Sequence, residues 1–165
     1  MNFSEYLGQA KRTMRLEWPE IRQLKNIKLG IMGESGEVAD ILKKHWFHGH
    51  DLNRGHLKEE LGDLLFYIAW LFVNDTEFLK SIDYEIQDWK VPTEMADDYE
   101  IIETLELMQK RVIGELKTDQ GILLDILCLI EYLEFTFEEV ATYNIEKLKK
   151  RYKGDGFTEK ESRER

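Results

Sequence analysis

Apolar residues recur at intervals of three and four along most of this chain. Between positions 19 and 45 they stand at Ile21, Leu24, Ile27, Ile31, Val38, Ile41 and Leu42. This period lines one face of an α-helix, whereas a half-buried strand would alternate with a period of two. The 165 residues include only 2 prolines and 11 glycines, so few positions interrupt such helices. The sequence therefore predicts an all-α fold built around one core.

Caps and breakers divide this pattern into separate helices. Predicted helices cover residues 3–16, 19–45, 57–72, 75–89, 97–116, 122–133 and 136–151, and residues 46–55 form a predicted loop. Ser4 and Asp75 are the predicted caps of the first and fourth helices, and Thr136 with Glu139 forms a capping box for the last. The length suits a single domain over residues 1–157, followed by a charged tail at residues 158–165 that we expect to be disordered.

The charge balance narrows the choice of partners. The chain carries 33 Asp and Glu against 23 Lys and Arg, a net charge of −10. Such a protein repels phosphates overall, so a nucleic-acid polymer is a poor partner, whereas a divalent cation suits the excess of carboxylates. The longest apolar stretch, Leu64 to Val73, is about half of the roughly 20 residues that span a bilayer. A polar beginning and the single Cys128 lead us to expect a cytoplasmic protein without a membrane partner.

Two acidic pairs stand on the most apolar of these helices. Glu34 and Glu37 are three residues apart, as are Glu60 and Asp63, so each pair shares a helix face. Unpaired carboxylates among such apolar neighbours would cost several kcal/mol, so they need a cation. No lysine or arginine lies within those apolar stripes. Four carboxylates between two helices predict a site for a hard cation, Mg²⁺ or alternatively Mn²⁺. His48, His50 and His56 fit no structural zinc spacing.

The motifs around these acids resemble those of a known family. An E-x-x-E motif at Glu34–Glu37 is followed by E-x-x-D at Glu60–Asp63, and a later run reads NIEKLKKRYKGDGF over residues 144–157. These motifs are similar to those of the MazG-like all-α nucleoside triphosphate pyrophosphohydrolases. The resemblance covers about residues 20–75 and 126–157. It implies a four-helix-bundle core, into which residues 73–124 are inserted or form a degenerate repeat.

The resemblance also implies an activity and the residues that carry it. The family hydrolyses a nucleoside triphosphate between the α and β phosphates, giving a monophosphate and pyrophosphate. It implies that Glu34, Glu37, Glu60 and Asp63 hold Mg²⁺, with Glu34 or Glu37 as the general base. The match favours a nucleotide-pool enzyme of the house-cleaning kind.

Candidate substrate-binding residues lie around this acidic centre. They are Lys44, Trp46, Tyr67, Asn144, Lys147 and Arg151. Lys147 and Arg151 stand four apart on one helix face and are placed to grip phosphates, although a solvated basic helix end is the alternative. Trp46 suits stacking on a base, and Tyr67 can donate to a phosphate, whereas ordinary core packing is the alternative for both.

Several readings stay open at this stage. Within the same class the alternatives are a dUTP- or dCTP-specific pyrophosphatase and a phosphoribosyl-ATP pyrophosphohydrolase. Outside it, the alternative is a non-catalytic helical module that binds a nucleotide or a metal. We expect a homo-oligomer, and a dimer rather than the tetramer of shorter relatives, because residues 97–133 should pack on the acidic helices within one chain, as a second subunit does in those relatives.

Overall fold

The computed structural model describes residues 1–75, 77–79, 82, 98–114, 120–154 and 156–158. Regular structure in these ranges is helical, with no strand, which confirms the predicted all-α fold. The helices are α1 (Phe3–Ala10), α2 (Glu20–His48), α3 (Arg54–Leu71), α4 (Asp98–Ile113), α5 (Gln120–Tyr132) and α6 (Phe137–Arg151), and a short 3₁₀ turn covers Lys11–Thr13.

The first helix is shorter than predicted and starts from a different cap. Asn2, not Ser4, caps α1 through a capping box with Glu5. The Ser4 hydroxyl instead donates to the Leu79 carbonyl at 3.3 Å. The helix ends at Ala10, whose carbonyl accepts a hydrogen bond from the Thr13 hydroxyl at 2.9 Å. The predicted helix over residues 3–16 is therefore wrong beyond the 3₁₀ turn.

The second helix is longer than predicted. It runs on to His48 and ends at Gly49, which adopts the left-handed conformation with φ of 71°. The connecting loop therefore covers only residues 49–53, because the side chain of Asn53 accepts from the backbone N–H of His56 at 3.0 Å and starts α3. The prediction of a loop over residues 46–55 was too long at its first end.

Helix α3 forms the centre of the core. Helices α1, α2, α5 and α6 pack against it, and α4 packs against α2 and α5. Its largest fully buried side chains are Leu57, Leu61, Leu64, Leu65 and Ile68. Helices α4 and α5 thus pack against the two acidic helices, as expected for residues 97–133. None of the helices in the described part of the chain has the length and apolarity needed to cross a membrane.

Two predicted features lie largely or partly outside the described residues. Of the predicted helix over 75–89 the cap is visible, since Asp75 accepts from the backbone N–H of Phe78 at 2.9 Å. Within the segment 73–124, which we interpret as an insertion or a degenerate repeat, residues 115–119 lie outside the described residues, and α5 begins at Gln120. The last helix begins as predicted, with the Thr136 and Glu139 capping box at the start of α6.

Candidate active site

The packing of α2 on α3 brings the two predicted acidic pairs together. Carboxylate oxygens of Glu34, Glu60 and Asp63 lie within 4.8 Å of one another. Glu60 is buried, with 5% of its surface exposed, while Glu34 and Asp63 are half-buried. Glu37 is exposed and forms a second group of the same kind with Glu60 and His56. The four acids are thus neighbours in one cluster, which we call the acidic centre.

The acidic centre carries more negative charge than its surroundings neutralise. Burial, the nearby Asp63 charge and a hydrogen bond to Glu60 raise the pKa of Glu34 to about 8. Burial and the charge of Glu37 likewise raise the pKa of Glu60. Glu34 is therefore protonated at neutral pH and shares its proton with Glu60. A cation placed between these oxygens would reverse both shifts.

One cation of the protein reaches this cluster from outside the apolar stripes of α2 and α3. The Nζ of Lys147, on α6, lies 2.5 Å from Asp63 Oδ2 and 2.6 Å from Glu59 Oε1. Burial alone would lower the pKa of Lys147, but the carboxylates of Asp63 and Glu59 outweigh burial and raise it. The apolar faces of α2 and α3 contain no basic residue, but Lys147 reaches the cluster from a third helix, α6.

A buried hydrogen-bonded chain fixes the orientation of Asp63. The hydroxyl of Tyr6 donates to Asn144 Oδ1 at 2.9 Å, and Asn144 Nδ2 donates to Asp63 Oδ1 at 3.1 Å. Asn144 is fully buried, so it acts from behind the carboxylate. Gly62 makes room for this contact, because a Cβ there would lie 3.0 Å from the Cβ of Asn144. Sequence reasoning assigned Asn144 to the substrate, whereas its visible contacts orient Asp63.

A cavity lined by aromatic and basic side chains opens beside the acidic centre. Its volume is about 180 Å³. Its walls are formed by Thr13, Arg15, Trp18, Asn26, Glu34, Asp63, Phe66, Tyr67, Trp70, Leu148, Arg151, Tyr152 and Phe157. We call it the aromatic cavity. Two of the acids therefore form part of its wall, together with the predicted substrate residues Tyr67 and Arg151.

The sequence analysis did not identify most of the residues that line the aromatic cavity. Arg15 lies 4.9 Å from the ring centre of Trp18 and 5.0 Å from that of Phe157, so it stacks between residues far apart in the chain. The indole N–H of Trp70 donates to Gln23 at 3.0 Å, which holds a further wall in place. The sequence does not indicate that a single aromatic or basic residue lines a cavity, because only the packing of several segments brings these side chains together.

The ring of Tyr67 packs directly on α2. A Cβ built on Gly30 would lie 2.4 Å from the Tyr67 ring, so this position accepts only glycine without a shift. The ring also packs edge-on against Phe66 at 5.5 Å between ring centres. Tyr67 therefore combines the two roles that the sequence left open, since it packs against α2 and lines the aromatic cavity.

A second cavity, which we call the basic cavity, lies on the other side of Lys147. It measures about 520 Å³ and is lined by Glu59, Tyr143, Glu146, Lys147, Lys150, Arg151 and Lys153. Arg151 lines both cavities, so they meet at this side chain next to Asp63 and Lys147. The predicted pair of Lys147 and Arg151 thus faces the acidic centre rather than open solvent alone.

The remaining two predicted substrate residues lie elsewhere on α2. Lys44 forms an ion pair with Asp40 at 2.6 Å and lines a third cavity of about 460 Å³, the α2–α3 cleft, which also contains Glu37 and His56. Trp46 lines a groove between α2 and α4 and does not line the aromatic or basic cavity. The structure therefore keeps Lys44 near the acidic centre and places Trp46 apart from it.

Comparison with known proteins adds one finding to this geometry. The family model of the MazG nucleotide pyrophosphohydrolase domain matches residues 22–85, which include all four acids and Tyr67. Neither the curated proteins nor the solved structures gave a match. Residues 22–85 are thus similar to the MazG nucleotide pyrophosphohydrolase domain, and the helical fold and the acidic centre are consistent with a MazG-like family.

Proposed function

We propose that this protein is a metal-dependent nucleotide pyrophosphohydrolase that converts a nucleoside or deoxynucleoside triphosphate to the monophosphate and pyrophosphate. The observation that carries the proposal is the position of the acidic centre. The oxygens of Glu34, Glu60 and Asp63 converge beside an aromatic cavity, and a basic cavity meets that cavity at Arg151. A nucleotide needs these three surroundings for its base, its metal-bound phosphates and its distal phosphates.

The donor atoms of the acidic centre fit a hard divalent cation. Carboxylate oxygens are the ligands that Mg²⁺ and Mn²⁺ prefer, and Glu34, Glu37, Glu60 and Asp63 would hold the ion. The raised pKa values of Glu34 and Glu60 support this assignment, since they report repulsion that a cation relieves. When bound, the metal neutralises phosphate charge and lowers the pKa of a coordinated water.

The two cavities suggest how the substrate is oriented. The aromatic cavity suits the base, because Trp18, Tyr67 and Phe157 offer stacking surfaces. The basic cavity suits the β and γ phosphates, which Lys147 and Arg151 would bind. The scissile bond then lies next to the acidic centre. There Glu34 or Glu37 would take a proton from the water that attacks the α phosphorus.

The same geometry bears on the alternatives within this class. The Asn26 amide in the wall of the aromatic cavity can both donate to and accept from a base edge, so base selection is expected at this position. A dUTP- or dCTP-specific enzyme and a phosphoribosyl-ATP pyrophosphohydrolase both fit the acidic centre. If the substrate is dUTP or dCTP, the enzyme has a role in controlling the nucleotide pool of the cytoplasm. A non-catalytic binding module would bind nucleotide without releasing pyrophosphate.

A substrate panel tests the proposal. The protein is mixed with each common ribo- and deoxyribonucleoside triphosphate and Mg²⁺, and pyrophosphate release is measured. Glu37→Gln and Asp63→Asn should abolish release, whereas Glu103→Gln, an exposed acid on α4, should leave it unchanged. Hydrolysis in ¹⁸O-labelled water should put the label in the monophosphate, because the water attacks the α phosphorus. Label in inorganic phosphate would show attack at the γ phosphorus and disprove the proposed reaction.

A further inference from the structure

The acidic centre continues into a second group of donor atoms that includes a histidine. We propose that His56 supplies a nitrogen ligand to a second divalent cation, held together with Glu37 and Glu60 at the mouth of the α2–α3 cleft. This inference rests on the proposed function and refines its ligand set: the first cation lies between Glu34, Glu60 and Asp63, and Glu37 belongs to the second site. It assigns His56 a role that its sequence spacing gave no reason to expect.

The geometry of the three side chains supports a shared ligand. One donor atom each from Glu37, His56 and Glu60 lies within 4.8 Å of the others. His56 and Glu60 stand one turn apart on α3, and His56 Nε2 lies 2.7 Å from Glu60 Oε1. Glu37 reaches the same point from α2. Donors from two helices thus converge on one volume, as donors do at metal sites in helical bundles.

An ordinary ion pair between His56 and Glu60 does not account for Glu37. An i,i+4 pair on one exposed helix turn needs no third group, and it is worth only a few tenths of a kcal/mol. Here a second carboxylate approaches from the opposite helix, although its charge opposes that of Glu60. The two carboxylates repel each other at this point, and a cation between them would relieve that repulsion.

Glu60 links this group to the first one. It is the one residue that both donor groups share, and it is buried while Glu37 and His56 are exposed. A carboxylate with two oxygens can bridge two cations, which in two-metal sites lie about 3.5–4 Å apart. The inner position would then be bound by oxygens alone. The outer position would add one imidazole nitrogen and open toward the α2–α3 cleft, where Lys44 and Asp40 also lie.

The nitrogen donor has a chemical consequence. Imidazole binds Mn²⁺ and later transition-metal ions more readily than Mg²⁺, which prefers oxygen ligands and retains its waters. The outer position should therefore favour Mn²⁺ over Mg²⁺, whereas the inner position accepts both. His56 is half exposed, so its ring can turn from Glu60 to a metal without disturbing the core.

Pulsed electron paramagnetic resonance on the Mn²⁺-loaded protein tests this assignment without measuring catalysis. Modulation from a directly bound ¹⁴N nucleus should be present in the unaltered protein and lost in His56→Gln. The matched control is His50→Gln, since His50 lines the same cleft but belongs to neither donor group. Calorimetric titration should show two Mn²⁺ sites, with the weaker one losing roughly tenfold or more in affinity in His56→Gln.

The outcomes separate this inference from the proposed function. Two bound Mn²⁺ ions without ¹⁴N modulation, or modulation that persists in His56→Gln, would disprove the His56 assignment and leave the inner metal site standing. If the modulation is lost in His50→Gln but kept in His56→Gln, the bound nitrogen belongs to His50. This result would also disprove the His56 assignment. Failure of Mn²⁺ to bind at any site would disprove both the inference and the metal dependence of the proposed function. Circular dichroism checks that each variant stays folded.

Discussion

Lys147 neutralises Asp63 and Glu59 in the absence of any metal ion. Its Nζ lies 2.5 Å from Asp63 Oδ2, so it occupies an oxygen that a cation would otherwise bind. The same amine faces the basic cavity, where phosphates are expected. Lys147 can therefore leave Asp63 for a phosphate when a metal-bound nucleotide arrives. This exchange would keep Asp63 paired with a cation at each stage.

We expect Lys147→Met to change metal and nucleotide binding in opposite directions. Removing a competing cation should tighten Mg²⁺ binding to the free protein several-fold, because Asp63 then lacks its only short ionic contact among the described residues. Removing a phosphate ligand should raise the KM for nucleotide about tenfold or more. Calorimetry and steady-state kinetics measure the two effects.

Lys149→Met is the matched control for that substitution. Lys149 lies on the same helix and is exposed, and it donates to Gln9 at 3.1 Å rather than to the acidic centre. Neither Mg²⁺ affinity nor KM should change in this variant. Weaker Mg²⁺ binding in Lys147→Met would contradict the exchange, because it would show that the lysine supports the metal site instead of competing with it.

The pKa of Glu34 makes a prediction about stability. In the folded protein this pKa is raised to about 8, whereas the ordinary glutamate value is 4.5. Between these pH values the folded state binds more protons than the unfolded state, so the free energy of unfolding falls as pH rises. In the presence of EDTA, Glu34→Gln should therefore gain stability over the unaltered protein between about pH 4.5 and 8.

Urea unfolding at pH 5 and pH 8 measures this difference. Saturating Mg²⁺ should reduce the gap at pH 8, because the cation stabilises the ionised carboxylate. Glu103→Gln serves as the control, since Glu103 is exposed on α4 and should show the same pH profile as the unaltered protein. Parallel profiles for Glu34→Gln and the unaltered protein would show that Glu34 ionises normally.

The four acids could be predicted from the sequence because the signal is local. Two residues three apart share a helix face whatever the rest of the fold does, and their apolar neighbours indicate burial. Lys147 and Asn144 were singled out as substrate residues, but their contacts with Asp63 could not be predicted, since they depend on how α6 crosses α3. Arg15 and Trp18 were missed for the same reason, because they line the aromatic cavity through contacts between distant segments.

At the scale of helices, the α2–α3 pair is held together by a close contact that spacing alone does not reveal. Gly30 and Tyr67 lie on facing surfaces, and the ring occupies the space of a missing side chain. Helix periodicity treats Gly30 simply as a weak helix former. Its contact with Tyr67 instead makes it necessary for the approach of the two helices that carry the acidic centre.

Gly30→Ala should therefore destabilise the protein by about 1–3 kcal/mol, since its Cβ would overlap the Tyr67 ring. Gly33→Ala is the control, because no atom lies within 4 Å of a Cβ placed there and the helix should gain up to about 1 kcal/mol. Urea unfolding compares both variants with the unaltered protein. Equal or greater stability in Gly30→Ala would show that Tyr67 moves away at little cost.

Helix ends were predicted less well than helix faces, for a physical reason. A face is set by a repeated pattern, whereas an end depends on one or two capping residues. Asn2 caps α1 instead of Ser4, and α2 continues beyond the apolar pattern and ends at Gly49. The Thr136 and Glu139 capping box was unambiguous, and α6 begins where it predicts.

At the scale of the whole molecule, the described residues include an apolar groove that stays exposed after the helices have packed. The groove between α2 and α4 has a volume of about 430 Å³, and its wall includes Leu42, Trp46, Phe47, Leu105 and Ile113. Phe47 and Ile113 are 71% and 74% exposed. Exposed aromatic and aliphatic side chains beside an apolar groove are typical of a protein interface. Lys43 and Glu106 also line the groove, and their opposite charges are compatible with a self-complementary two-fold interface between identical chains.

A dimer formed by a second copy on this groove is therefore the assembly that we predict. Light scattering should give a mass of two chains for the unaltered protein, and Phe47→Glu should give one chain, because it places a charge in the apolar interface. Leu29→Glu is the matched control: Leu29 is equally exposed on α2 at 71% but does not line the groove, so this variant should stay dimeric. A tetramer, a monomeric unaltered protein, or dissociation in both variants would contradict this interface.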